Sequence, residues 1–216
     1  MSYIIVGLGN PGEEYVNTRH NMGRMMLDVF AKQNNFPEFA PDKNLKALIS
    51  KGSLSSGSNV KGKMSIALVL PETFMNKSGD TVKKIKDLKF KVVGKGKDKM
   101  TEVTNLAVVH DDLDIPFGSF KISFNKNSGG HRGVESIIKA VKTAGFVRIR
   151  VGISPVTPKG TVKKPHGEEV VNKFILAKFK PAELDELKKL SKKIAEALAA
   201  IVTDGREKAM SQQGSV

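Results

Sequence analysis

The chain predicts a single α/β domain built on a twisted, mixed and largely parallel sheet that carries helices on both of its faces. Short apolar runs of buried-strand type alternate with segments of helical periodicity, and 216 residues suit one ordinary core. The apolar runs are residues 3–6, 65–70 and 106–109. We expect the domain to span residues 1–205 and residues 206–216 to form a polar, frayed tail.

Four segments show apolar residues at helical spacing. The first follows Asn21, which we expect to cap it, and the last begins at Pro181, a residue suited to a first helical turn. The segments are residues 22–30, 82–88, 134–141 and 184–201. Their apolar sides are predicted to pack on the sheet.

Two further strands carry cations on their polar faces. Between residues 147 and 153, apolar side chains alternate with Arg148 and Arg150, so that both arginines point the same way. Residues 120–124 alternate likewise and leave Lys121 outside the core. Together the two strands predict a phosphate-binding face.

The charge balance favours a polyanionic partner. The sequence has 36 Lys and Arg against 22 Asp and Glu, a formal net charge of +14. Such a surface attracts nucleic acid, although a lysine coat that only maintains solubility gives the same count. Lysine- and glycine-rich stretches at residues 94–100 and 158–167 are typical of mobile basic loops.

Composition excludes several kinds of chemistry. Without cysteine, the chain has no disulfide, thiol nucleophile or thiolate metal site. No apolar stretch is long enough to span a membrane, and the first residues lack the layout of a secretory signal. We therefore expect a cytoplasmic protein.

The turn after the first strand imitates a nucleotide-binding fingerprint. Gly7, Gly9 and Gly12 match the glycine spacing of dinucleotide-binding sites. In such sites the turn leads directly into a helix that meets the pyrophosphate, whereas Glu13 and Glu14 follow here and would repel it. A turn that faces a substrate is the better interpretation, and a nucleotide-dependent oxidoreductase is a less favoured alternative.

Polar motifs follow the apolar strands where each strand ends. They are residues 9–12, 72–76 and 110–114, and His20 lies shortly after the first. Because the carboxyl ends of parallel strands meet at one edge of a sheet, the motifs are expected to converge there. A fourth motif, residues 128–133, is a glycine loop that opens a helix, and its free amide groups suit an anion or an oxyanion. This loop contains Gly129, Gly130 and His131.

The four motifs read GLGNPGEEYVNTRHNMG, PETFMNKSG, VVHDDLDIPFG and GGHRG. In order and spacing they resemble those of bacterial-type peptidyl-tRNA hydrolase, and the resemblance runs nearly from end to end of the chain. It implies hydrolysis of the ester that joins a peptide, or an N-blocked amino acid, to the 3′ ribose of tRNA, which recycles tRNA from aborted translation. It also implies a monomer that needs neither cofactor nor metal.

The resemblance assigns roles to individual residues. The family's general base, which activates water, matches His20, and the aspartate that accepts a hydrogen bond from it matches Asp111. Asn10 matches the residue that separates peptidyl-tRNA from free aminoacyl-tRNA, and Asn76 is expected to orient the water or the substrate carbonyl. The family's substrate contacts match Tyr15, Phe74 and Met75. For the last two, core packing is the alternative.

Two positions depart from the family pattern. Arg132 stands where the family usually has an asparagine that binds the acceptor end, so we expect contact with tRNA in a different role. Ser123 stands where many members carry a lysine for the 5′ phosphate. The usual partner of that lysine is retained as Arg150, and Lys121 or Lys126 is expected to supply the missing charge.

Two alternatives concern the same motifs. His110, Asp111, Asp112 and Asp114 together resemble a metal cluster, but neighbours on a strand point to opposite faces and no matching ligand set appears elsewhere. We therefore expect no metal. A noncatalytic RNA-binding protein of the same family is the alternative function, and the presence of the catalytic pair with Asn10 argues against it.

Overall fold

The structure is a computed structural model that describes residues 2–55 and 62–213. Within these residues the strands are β1 (Ser2–Gly7), β2 (Ala40–Asp42), β3 (Ala47–Ser55), β4 (Lys63–Pro71), β5 (Phe90–Val93), β6 (Met100–Pro116), β7 (Phe120–Phe124) and β8 (Gly145–Ser154). The α-helices there are α1 (Met22–Gln33), α2 (Ser78–Val82), α3 (Arg132–Val141), α4 (Glu168–Leu176), α5 (Pro181–Thr203) and α6 (Arg206–Gln213). No helix in this part of the chain has the length and apolar character needed to cross a bilayer.

The strands form one sheet. Its order is β2-β3-β4-β1-β6-β8-β7, and β5 pairs with β6 outside this path. The central strands β4, β1, β6 and β8 are mutually parallel, whereas the outer strands join antiparallel. The predicted fold class, a mixed sheet with a parallel core between helices, is confirmed.

Alternation along β1 divides the core between the two faces of the sheet. Ile5 packs in one cluster with Phe30 of α1 and Leu198 of α5. Ile4 packs in the opposite cluster with Ile137 of α3. All five side chains are buried, so the sheet is a rigid platform for the residues at its carboxyl edge.

The segment of residues 82–88 differs from its predicted structure. Only Ser78–Val82 is α-helical, and the amides of Lys84 and Ile85 bond to carbonyls three residues back. An apolar spacing of three residues suits such tighter turns better than an α-helix. The apolar side chains still pack in the cluster that contains α3.

The expectation of a frayed tail is wrong for residues 206–213. They form α6, in which Ala209 is buried against the α5 cluster. Arg206 also makes two hydrogen bonds to the carboxylate of Glu102 on β6, at 3.0 and 3.1 Å. Burial of one small side chain and this ion pair hold the segment on the domain. Residues 214–216 of the predicted tail lie outside the described residues.

Strands β5 and β6 form a hairpin at the amino end of β6. Val92 pairs with Thr101, and the basic stretch of residues 94–100 contains the turn. Strand β6 has 17 residues and continues past the end of β1, whose pairing with it stops at Val109. The motif of residues 110–114 therefore lies on a strand that projects beyond its neighbour, rather than after a strand end.

Candidate active site

A cleft opens at the carboxyl edge of the sheet, where β1 and β4 end and β6 continues. Its volume is about 700 Å³, and its walls come from the loops after β1 and β4, from β6, from the glycine loop before α3 and from α4. The predicted site residues that line it are Asn10, His20, Phe74, Met75, Asn76, Asp111, Gly129, Gly130, His131 and Arg132. Motifs that are far apart in the sequence therefore meet in one place.

His20 and Asp111 form a buried hydrogen-bonded pair at the base of the cleft. The Nδ1 of His20 lies 3.1 Å from each carboxylate oxygen of Asp111. Since a carboxylate only accepts, Nδ1 carries the proton and Nε2 keeps a lone pair. No hydrogen bond from the residues that the structure describes occupies Nε2. The imidazole is thus fixed in the tautomer that a general base requires.

His131 holds the same carboxylate from the other side. Its Nδ1 accepts hydrogen bonds from the amides of Gly133 and Val134, at 3.2 and 3.3 Å, and so caps α3. The proton of this ring must then lie on Nε2, which donates to Oδ1 of Asp111 at 3.0 Å. One imidazole therefore both begins a helix and positions the carboxylate.

This capping corrects the expectation that the amides at the start of α3 are free for an anion. The amides of Gly133 and Val134 are occupied by His131, and the amide of Gly130 bonds to the hydroxyl of Ser128. The glycine loop lines the cleft, but these three groups are not available to an oxyanion.

Asp111 is ionised in this setting. Burial alone would raise the pKa of its carboxyl, but electrostatic attraction and hydrogen bonds from His20 and His131 outweigh burial and hold that pKa well below its usual range. The buried carboxylate is therefore matched by two N–H donors, and it can stabilise a positive charge that develops on an imidazole.

His110 is a third buried imidazole beside this network, and sequence reasoning gave it no role apart from a metal cluster. Its Nδ1 donates to the carbonyl of Asp111 at 2.7 Å, and its ring contacts that of His131 edge to face. Burial, together with electrostatic repulsion of a protonated ring by His131 and Arg148, lowers the pKa of His110 well below its usual range. His110 is consequently a neutral structural element.

Asn10 is held from both sides. The side chain of Asn21 accepts from the backbone amide of Asn10 at 2.8 Å and donates to its carbonyl at 2.9 Å, so Asn21 does not cap α1 with its side chain as expected. The Oδ1 of Asn10 accepts from the amide of Met75 at 2.8 Å. The Nδ2 group is the part of this side chain that has no hydrogen bond to the described residues.

The glycines of the first turn serve packing against α1. A Cβ at Gly7 would lie 2.6 Å from the carbonyl oxygen of Gly23, and a Cβ at Gly9 would lie 2.6 Å from the side chain of Arg24. The turn leads into two 3₁₀ turns before α1 begins at Met22. Because no helix starts directly after the glycines, the dinucleotide interpretation lacks its structural requirement.

The loop after β4 contributes side chains of different exposure. Met75 is 4% exposed and packs in the core as well as against the cleft. Phe74 is 58% exposed at the mouth, and Asn76 is also exposed there. Tyr15 does not line the cleft; its carbonyl accepts hydrogen bonds from the amide and hydroxyl of Thr18. The predicted direct contact through Tyr15 is therefore not evident in this conformation.

The two arginines of β8 have different surroundings. Arg148 is 1% exposed and donates to the carbonyls of Lys126 and Asn127, and burial with the charge of Arg150 lowers its pKa to about 10. It is not available to a phosphate, contrary to expectation. Arg150 donates to Asp112 at 2.7 Å and stands opposite the exposed Lys121 on β7.

Exposed ion pairs surround the mouth of the cleft. Arg132 pairs with Glu168 at the start of α4, and Lys164 pairs with Asp114 at 2.6 Å. The basic stretch of residues 158–167 thus borders the cleft, where His166 also lines it. Sequence reasoning missed α4 as a wall. Its apolar pair Val171 and Ile175 had the spacing of a helix face, but nothing in their identity pointed to the site.

Three side chains also satisfy the geometry of a metal site. One donor atom each from His20, Asp111 and His131 lies within 4.8 Å of the others. These are not the four residues considered from the sequence. The contacts between them are hydrogen bonds, and the proton on Nε2 of His131 occupies the atom that would face an ion. Hydrogen bonds among the three side chains therefore explain why their donor atoms lie so close together.

A buried histidine and carboxylate that open into a cleft with cations at its mouth form an arrangement suited to a hydrolase with a general base. The sequence profile of the peptidyl-tRNA hydrolase family matches residues 4–215, and the chain belongs to that family. This agrees with the resemblance of the four motifs.

Relatives support the same assignment, and a solved structure shows the same fold. The peptidyl-tRNA hydrolase of Herpetosiphon aurantiacus is 38% identical over 96% of this chain and 88% of its own length. That of Syntrophotalea carbinolica is 32% identical over 97% of this chain and 95% of its own length. The crystal structure of the Acinetobacter baumannii enzyme superposes with a TM-score of 0.76 at 24% identity, over 98% of this chain and 94% of the other. The fold is therefore shared.

Proposed function

We propose that this protein hydrolyses the ester bond between the peptide and the 3′ ribose of peptidyl-tRNA, with His20 as the general base. The observation that carries the proposal is the tautomer of His20: Asp111 holds the Nδ1 proton, and Nε2 is left with its lone pair in a residue that lines the cleft. Family membership supplies the substrate class.

The reaction needs one proton to move twice. Nε2 of His20 takes a proton from water as the oxygen attacks the ester carbonyl, and the tetrahedral intermediate forms. The C–O bond to the ribose then breaks, and the imidazolium returns the proton to the departing 3′ oxygen. Asp111, ionised and held by His131, stabilises the imidazolium between these steps. No cofactor takes part in this scheme.

Asn10 discriminates between blocked and free amino groups. Since its Oδ1 already accepts from Met75, it presents the Nδ2 donor to substrate. A donor suits the carbonyl of an N-blocked residue, whereas a free ammonium would meet another donor and be left poorly solvated. Asn76, also at the cleft, orients the water or the substrate carbonyl.

The cations around the cleft bind the acceptor stem and 3′ end of tRNA. Arg132 lies at the mouth, and Arg150 with Lys121 forms a pair of neighbouring cations beyond Asp112. Phosphate contacts release counterions, so binding weakens as salt increases. Phe74 offers an exposed ring for stacking on the terminal adenosine or the peptide, with Met75 behind it. Tyr15 contributes only if its loop moves.

The test is release of N-acetylated amino acid from acetyl-aminoacyl-tRNA by the purified protein. Unblocked aminoacyl-tRNA is the control substrate, and EDTA is present throughout. Selective release of the blocked amino acid would support the hydrolase activity and the assignment of Asn10, and release in EDTA would support a mechanism without metal. Elution of the active species at the size of one chain would support a monomer. Binding of tRNA without release would instead favour the noncatalytic RNA-binding alternative.

A further inference from the structure

Arg19, the residue before His20, is a buried cation that the reaction scheme does not use. Its NH2 group makes two hydrogen bonds to the carboxylate of Glu183 on α5, at 2.8 and 3.0 Å. Its NH1 group donates to the carbonyls of Ala177 and Lys178, each at 3.2 Å. The side chain is 9% exposed and does not line the cleft. Arg19 is therefore not placed to contact a substrate bound in the cleft.

Aromatic rings and backbone pairing complete this arrangement, which we call the Arg19 clamp: Arg19, Glu183, Phe174 and Phe179. The guanidinium carbon lies 4.7 and 4.9 Å from the centroids of the two phenylalanine rings. The amide of Arg19 also donates to the carbonyl of Ala177. The backbone before His20 is thus attached to the linker between α4 and α5.

The clamp lies between two parts of the active site. On one side is His20, one residue along the chain, and on the other is α4, whose Val171, Ile175 and Leu176 line the cleft. A buried charge is costly unless it is paired, and this one is paired at the residue adjacent to the general base. Because Arg19 and His20 are adjacent, a small shift of the Arg19 backbone would change the distance and angle of the His20–Asp111 hydrogen bond.

We propose that Arg19 is a positioning residue, which fixes the backbone of His20 against the α4–α5 linker so that Nε2 keeps its place relative to the cleft wall. The inference rests on the proposed role of His20 as the base. It assigns to Arg19 an effect on turnover through geometry rather than through contact with tRNA.

The chain offers a matched control for the purely structural alternative. Arg206 likewise makes two hydrogen bonds to one carboxylate, that of Glu102, although it uses both terminal nitrogens where Arg19 uses one, and its guanidinium carbon lies 3.6 Å from the centroid of the Phe124 ring. Both pairs are partly buried: the side chains of Arg19 and Glu183 are 9% and 26% exposed, and those of Arg206 and Glu102 are 26% and 9% exposed. Arg206 is absent from the lining of the cleft.

The experiment compares Arg19→Met with Arg206→Met in the full-length protein. For each variant we measure kcat and KM for acetyl-aminoacyl-tRNA, the thermal midpoint, and the NMR titration of the His20 ring. We expect Arg19→Met to lower kcat by about 10- to 100-fold, because displacements near 1 Å have effects of that order, with little change in KM. The His20 titration curve is expected to shift. Arg206→Met is expected to lower the midpoint but to change neither kcat nor the titration.

Glu183→Gln keeps the test decisive if Arg19→Met does not fold. Glutamine can keep one oxygen for the amide of Lys180, which caps α5, but it removes the charge and one of the two acceptors that face Arg19. Its kcat is expected to fall severalfold. Wild-type kcat in a folded Arg19→Met or, failing that, in Glu183→Gln would overturn the proposal, and so would an equal loss in Arg206→Met. Full activity of His20→Ala would refute the base itself and is a separate result.

Discussion

The floor and the rim of the cleft are built differently. On the floor, His20, Asp111 and His131 are buried or nearly so, and each is oriented by hydrogen bonds from fixed backbone or side-chain partners. On the rim, the ion pair of Arg132 with Glu168 joins side chains that are 58% and 76% exposed. The floor is preorganised, whereas the rim is solvated.

This difference separates turnover from binding. Exposed ion pairs contribute little to stability, so a phosphate can replace the carboxylate of such a pair at small cost. Buried donors and acceptors cannot exchange partners in that way, because an unpaired group in the interior is expensive. Substitutions on the floor are therefore expected to alter kcat, and those on the rim to alter KM and its salt dependence.

The largest effect is expected for His20→Ala on the floor. Loss of the general base should lower kcat by about 100- to 10,000-fold while tRNA affinity stays nearly unchanged. Single-turnover release and filter binding of the same tRNA measure the two quantities. A variant that retains most of its activity would remove His20 as the base.

A second effect, at the buried His110 beside this floor, concerns stability rather than rate. The pKa of His110 is lowered in the folded protein. Below the ordinary value of 6.5 the unfolded chain therefore binds more protons than the folded one, and the free energy of unfolding decreases as the pH is lowered. One such group accounts for at most about 1.4 kcal/mol per pH unit in the free energy of unfolding. Urea unfolding between pH 7.5 and 5.5 measures the loss. His110→Asn, which keeps a hydrogen-bond donor, is expected to lose less stability than the wild type over this pH range. Equal pH dependence in the two proteins would contradict the assignment.

Outside the cleft, on the strand β8, Arg150→Ala is expected to weaken tRNA binding by about tenfold and to reduce the slope of log affinity against log salt by about 1, as for one lost phosphate contact. Binding isotherms at several salt concentrations test it. Lys188→Ala removes an equal charge from the exposed side of α5 and serves as the control. An identical change in both variants would mean that only net charge matters.

The smallest effect is expected for Glu168→Gln. Release of Arg132 from its exposed partner should lower KM about twofold at low salt, in line with the modest strength of surface pairs, and have no effect on kcat. The difference should vanish at high salt because screening removes it. An increase in KM would indicate that Glu168 itself assists binding.

The fold class was predictable because the pattern of apolar side chains along a strand indicates which of its faces are buried in a core. Residues 3–6, 65–70 and 106–109 are strands β1, β4 and part of β6, and their parallel order brings the polar motifs together. The sequence could thus indicate which motifs meet. Their convergence follows from topology, which needs no knowledge of side-chain contacts.

What could not be predicted depends on contacts between distant segments. Alternation places Arg148 and Arg150 on one face, but only the loop of residues 126–127 decides that Arg148 is covered. A residue at the start of a helix is usually a cap, yet Asn21 is engaged by Asn10. In each case a polar side chain has two suitable partners, and the tertiary structure selects one.

The β5–β6 hairpin makes this protein convenient for single-molecule work. The chain has no cysteine, so one introduced in place of Val92, which is 54% exposed on β5, would be a unique site for a fluorophore or a surface tether. Its partner Thr101 lies ten residues before Asp111 on the same strand, about 30 Å away along β6. A dye attached there would report on arriving labelled tRNA from a fixed distance, without entering the cleft.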